Sequence, residues 1–121
     1  EMTVITEGPR AAEFLISEAN GHLSRDVGTL ASGITGSLEA GTVLGRVTTG
    51  GALNIYDPAA EDGTEEVYAI LFEGGAAGDV RTIIRRHAEV KTDKLTWFDG
   101  ADSGEKATGI AALAGLGIIA R

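Results

Sequence analysis

The sequence predicts a mostly β protein with one short C-terminal helix. A small β-rich body is expected at residues 39–121, preceded by an extended N-terminal arm and hinge at residues 1–38. Three observations predict this. From Gly41 onward, short alternating or wholly apolar segments are separated by glycine-rich turns, the pattern of strands and tight connections. Near the C-terminus one stretch carries helical spacing behind a helix-start signal. The first third holds neither period for long.

Composition sets the terms of the core. The 121 residues are about one domain's worth. Apolar residues make up 43% of them, yet they include only one Trp, two Tyr and three Phe, against 18 glycines. Val, Ile, Leu and Ala must therefore do the packing, with many tight turns. A body this small often gains stability from self-association.

Phe14, Leu15 and Ile16 form the one apolar cluster of the first third; Leu23, Val27, Leu30 and Ile34 are sparse. Such a segment buries too little by itself to offset an ordering entropy of roughly 1–2 kcal/mol per residue. It reads as an arm without a partner in the free protein, hinged at LASGITGSLEAG. Residues 42–48 alternate as a strand, but Gly45 interrupts the face that carries Val43 and Val47. A glycine inside a strand marks a bend or a close approach, here expected from a neighbouring strand or the helix. Gly50 and Gly51 turn the chain into a strand at 52–56, and DPAAEDGTE makes a broad polar turn.

Residues 67–72, VYAILF, are apolar on both faces, so they lie centrally or at a subunit contact. EGGAAGD turns again, a strand is expected at 80–86, and short AEVK and KLTW segments come next. Asp102 and Glu105 form a capping-box pair for the helix. Its stripe is expected to be Ala107, Ile110, Ala111 and Ala114, with Gly109 costing up to about 1 kcal/mol. Gly115 and Gly117 end it, and residues 117–121 close the chain as a last strand.

Most chemistries are excluded by what the chain lacks. A net charge of −8 opposes binding to nucleic acid and to anionic membranes. The absence of cysteine removes disulfides, thiolate metal sites and a Cys nucleophile together. His22 and His87 have no HxxxH or HExxH spacing and read as surface residues. The acidic turn at 57–65 fails the EF-hand pattern, because Pro58 and Ala60 fall on ligand positions. The glycine loops lack a GK[ST] ending. No active site, metal or cofactor is expected, and the chain reads as no enzyme. Arg81, Arg85, Arg86 and Lys91 gather beside a stretch, 57–79, whose charges are all acidic. They form either a solvated face or charges that meet across a subunit boundary.

An ordered set of segments then carries a resemblance: EFLISEANGHLSRD, LEAGTVLGRV, YDPAAEDG with VYAIL, EVKTDKLTW, an Ala-rich helix and LAGLGIIAR. At these spacings the chain resembles, over almost its whole length, the phage lambda-type head decoration proteins (protein D family). One departure is Phe98 after Trp97, where family members commonly have proline, so the turn before the helix is open. The resemblance implies a structural protein with a β-clip-like body, acting as a homotrimer. Such trimers sit at three-fold positions on the outer surface of the expanded head and clamp the major capsid protein lattice against DNA pressure. The implied location is the virion, and the host cytoplasm before assembly. Its partners would be itself and the capsid lattice, with no direct nucleic acid and no membrane.

The implied capsid-binding arm residues are Glu13, Phe14, Leu15, Ile16, Ser17, Leu23, Val27 and Leu30. The trimer-contact candidates are Tyr68, Ile70, Phe72, Arg81, Arg85 and Arg86. Two alternatives stand beside this reading. One is a trimeric tail or fibre component. The other is a small β-barrel enzyme akin to nucleotide-hydrolysing β-clip trimers, whose phosphate- and uracil-binding motifs are not found here.

Overall fold

A computed structural model describes residues 10–121; the first nine residues, the front of the predicted arm, lie outside the described residues. In chain order the strands are β1 (Leu15–Glu18), β2 (Arg25–Thr29), β3 (Ser37–Leu38), β4 (Val43–Arg46), β5 (Leu53–Ile55) and β6 (Ala69–Leu71). After them come β7 (Gly75–Ala76), β8 (Val80–Ile84), β9 (Ala88–Val90), a 3-10 turn (Thr92–Lys94), helix α1 (Ser103–Gly115) and β10 (Ile118–Ala120). The described chain is mostly β with a single short C-terminal helix, as the alternating segments and the capping pair predict. Its sheets are open and form no barrel.

The centre is an antiparallel sheet in the order β2-β8-β6-β4-β5. Side chains alternate across a sheet, so cross-strand partners share a face. Val43, Ile70 and Ile84 are in register and point into one core, with Phe14, Tyr56, Val90, Leu113 and Ile118. Leu44, Ala69, Leu71 and Ile83 point the other way, into a second core with Leu30 and Leu53. Ala69, Ile70 and Leu71 are all fully buried. The two-faced apolar pattern of VYAILF is therefore met inside one chain, and needs no second subunit to cover it. Ile70, a trimer-contact candidate from the sequence, is a core residue.

The first core is roofed by a three-stranded sheet, β1-β9-β10, in which β1 and β9 are antiparallel and β9 and β10 parallel. The second is flanked by the segment from Leu30 through the small β3–β7 pair, which packs Ile34 and Leu38 against it. These placements correct the extended arm from residue 10 onward. Phe14 and Leu30 are each 1% exposed, and Leu15 packs against the first core. The hinge is held as well: Leu30 N–H donates to Asp79 O and Ala31 N–H to Leu53 O, both at 2.8 Å. The segment does not bury itself. It buries the two faces of a sheet made by the rest of the chain, which its own composition does not display.

Helix α1 is capped as expected. Glu105 N–H donates to Asp102 Oδ1 at 2.7 Å, and Asp102 N–H donates to Glu105 Oε1 at 3.2 Å. Its buried face is different from the predicted stripe. Gly109 and Leu113 are buried, whereas Ala107, Ala111 and Ala114 are exposed. The reason is Trp97, whose ring fills the place a side chain at 109 would take; Tyr56 stands edge-on to it, with centroids 6.4 Å apart. Phe98 also packs edge-on to Tyr56, and Ala101 N–H donates to Phe98 O. With Gly100 at φ +80°, this is the pattern of a type II turn. Gly45 is likewise a packing glycine, but what approaches it is neither strand nor helix. The acidic turn lies there: a Cβ at 45 would stand 2.5 Å from Thr64 Cα and 2.7 Å from Thr64 O.

Both glycines make a test of packing against propensity. Gly109→Ala would stabilise an unobstructed helix by about 1 kcal/mol. Here it is expected to lower stability by about 1–3 kcal/mol, as overpacking does, and Gly45→Ala should do the same against rigid backbone. Denaturant melts check both; a gain in stability for Gly109→Ala would show that Trp97 yields freely.

Candidate functional site

The residues that the resemblance assigns to attachment divide into two groups. Phe14, Leu15 and Leu30 face inward. Ile16, Leu23 and Val27 are 47%, 55% and 69% exposed, and Ser17 is exposed beside Ile16. Glu13 lies half-buried, accepting from Arg10 N–H and 3.9 Å from Lys94 Nζ. Strand β2, which carries Val27, is the end strand of the central sheet, so among the described residues its outer edge has no strand partner. On the neighbouring strand Val80, 58% exposed, pairs with Thr29 while Thr82 pairs with Val27. Val27, Thr29, Val80 and Thr82 therefore share one face. Val80 and Thr82 are not among the residues singled out from the sequence; a β-branched strand at the sheet edge is the signal that points to them.

This edge is held firmly. Ser24, fully buried, accepts from Ala19 N–H at 2.9 Å and donates to His87 O at 2.7 Å, tying the β1–β2 turn to the β8–β9 turn. Arg25 donates to both Glu18 oxygens, at 2.9 and 2.5 Å, and its guanidinium lies 4.3 Å from the Phe72 ring centre. Those hydrogen bonds hold the Glu18 carboxyl below its ordinary range, with the Arg25 charge adding to them against partial burial. Arg86 donates to Leu23 O and to Asp26, each at 2.8 Å. Leu23 and Val27 are thus presented on an ordered turn and strand.

The trimer-contact candidates are scattered in their roles. Arg81 pairs with Asp79 at 3.0 Å, lies 4.0 Å from Glu73 and donates to Gly74 O. Arg86 is committed to Asp26. Much of the basic cluster therefore meets its acids within the chain. Phe72 is half-buried under Arg25. Tyr68 is half-buried against the second core, with Arg85 4.0 Å and Arg46 5.7 Å from its ring centre. His22 and His87 are exposed. Among the described residues, no group of three or more His, Cys, Asp or Glu side chains is placed to hold a metal ion.

Open sheets, an exposed β-branched face and charged surface pads define a small, mostly β protein. The family model described as Bacteriophage lambda head decoration protein D matches residues 4–118, nearly the whole length, and the chain belongs to that family. It is a phage head decoration family, associated with the capsid, and not an enzyme family. No curated protein matches the chain.

The division between inward and outward residues can be tested directly, and so can the ion pair beneath them. Phe14→Ala should cost about 3–5 kcal/mol of stability, whereas Val27→Ser should stay within about 0.5 kcal/mol; thermal melts of the free protein distinguish them. Glu18 has a depressed folded-state pKa, so its contribution is present above the unfolded value of about 4.3 and is lost as pH falls through the folded value. Both side chains are partly exposed, so the contribution is under about 1 kcal/mol. The stability gap between the wild type and Glu18→Gln should accordingly be seen at pH 7, shrink below about pH 4.3 and close at lower pH. A gap that stays constant through this range would remove the ion pair as its cause.

Proposed function

We propose that this chain decorates the outer surface of the expanded phage head as a homotrimer at three-fold positions, stabilising the lattice against internal DNA pressure. The family match over residues 4–118 is the observation that carries this reading. A β-clip-type body belongs to the same reading. The attachment residues we assign are the exposed Leu23 and Val27 at the β2 edge, with Ile16 and Ser17 exposed on β1 and Glu13 half-buried just before it; Phe14, Leu15 and Leu30 pack inward.

The physical support lies in the form of that edge. An end strand with no strand partner among the described residues offers backbone donors and acceptors to a capsid segment, and each net hydrogen bond is worth about 1 kcal/mol. Exposed Leu23 and Val27 add apolar area that solvent contact alone does not reward. Three such edges in one trimer act together, so modest single contacts become firm attachment.

Cosedimentation with purified capsids tests the reading. Binding is expected to expanded heads and not to unexpanded ones, because strand addition needs capsid strands in their mature positions. The pair Leu23→Ser and Val27→Ser should weaken that binding sharply while the free protein melts unchanged. Equal binding to both lattice states would overturn the maturation-dependent part; unaltered binding by the pair would move attachment away from β2.

A further inference from the structure

We propose that Arg46 and Arg85, gathered on the ring of Tyr68, receive carboxylates from the acidic turn at residues 57–66 of a second copy of this chain. The proposal rests on the homotrimer reading and names the contact that closes it.

The arginines differ in whether they are paired. Arg25, Arg81, Arg86 and Arg121 each reach a carboxylate of their own chain. Arg46 and Arg85 make no ion pair among the described residues; what each meets is Tyr68. In a chain with 18 acidic and 10 basic residues, acids are not in short supply. A guanidinium stacked by one face on a ring keeps its edge N–H groups in the fork that grips a carboxylate. The pad is also well positioned. Tyr68 packs on the second core, and Gly51 leaves room for Arg46: a Cβ there would stand 2.8 Å from Arg46 Nη2.

The opposite charge lies alongside. Glu65 and Glu66 line the same surface depression as Arg46 and Tyr68, of about 350 Å³, without an ion pair forming between them. Within the turn, Asp62 accepts from Thr64 and Glu65 from Gly63 N–H, while Glu61 and Glu66 are exposed. The turn is therefore braced and its outer acids face solvent. A patch that carries both signs of charge suits a cyclic assembly. Near a rotation axis, the basic part of the patch on each subunit meets the acidic part on the next, so the signs alternate around a closed ring. Carboxylates brought from a neighbour meet Arg46 and Arg85 in an orientation that the turn's own acids do not reach.

Sedimentation velocity of the full chain at micromolar concentration tests this, with circular dichroism confirming the fold of each variant. The wild type should be a trimer. Arg46→Glu with Arg85→Glu should raise the dissociation constant about tenfold or more, and Glu61→Lys with Glu66→Lys should do likewise, since each sets like charges together. All four substitutions in one chain restore complementary signs in every contact, and the trimer should return. A wild-type trimer indifferent to either reversal would overturn this contact and leave the trimer reading standing. A folded fourfold variant that stays monomeric would also overturn it. A monomeric wild type would overturn the contact and the trimer reading together, whereas capsid cosedimentation reports on decoration separately.

Discussion

Strand β6 is fully buried over Ala69, Ile70 and Leu71, and a strand's side chains alternate between the two sides of its sheet. Each side of the central sheet therefore requires an apolar cover, in a chain with few aromatic residues to supply one. That constraint reaches almost every other element. One cover is assembled from β1, β9, β10 and α1, together with Phe14. The other comes from the segment after β2, beginning at Leu30. Full burial of side chains of this size is worth about 1.5–3 kcal/mol each. Phe14 and Leu30 are thus structural, whatever their neighbours bind.

The same constraint explains what could be read in the sequence and what could not. Strands β4, β5, β6 and β8 are legible because their residues alternate or run wholly apolar between turn signals, and α1 is legible from Asp102 and Glu105. Strands β1 and β2 are not. LISE and RDVGT place half of their side chains in solvent, and their stability comes from β9 and β8, more than 50 residues away in the chain. A window of sequence scores what a segment buries against itself; these bury against something else. For the candidate site the outcome is mixed for the same reason. Leu23 and Val27 stand outside while Leu30 vanishes into a core, though all three looked equally sparse, and the one apolar cluster splits between buried Phe14 and exposed Ile16.

Glycine supplies the second half of the packing. At Gly109 the missing side chain is replaced by the Trp97 ring, and at Gly45 by the backbone of the acidic turn. This is how a core short of aromatic filler reaches close packing: backbone and ring approach where a Cβ would stand. It also reverses the helix reading. Helical spacing selects Ala107, Ile110, Ala111 and Ala114, yet the helix turns Gly109 and Leu113 toward the body, because the Trp97 ring occupies the space beside Gly109. The acidic turn, which as sequence invites a metal-site reading, is anchored onto Gly45 and stiffened by Thr64, whose hydroxyl and N–H both donate to Asp62.

For the attachment face proposed above, ordering entropy weighs beside contact area. A free arm would have to be ordered on the capsid at roughly 1–2 kcal/mol per residue. Residues 15–29 are already in strands or a pinned turn, through Ser24, the Arg25–Glu18 pair and Arg86. A surface ordered in advance spends less of its contact energy on being ordered. On the proposed reading, the small exposed set of Ile16, Leu23 and Val27 would meet its partner with its geometry already fixed. Folding residues 10–38 into the body thus has two effects at once: it covers a sheet that cannot face water, and it holds rigid a strand edge that has no strand partner among the described residues.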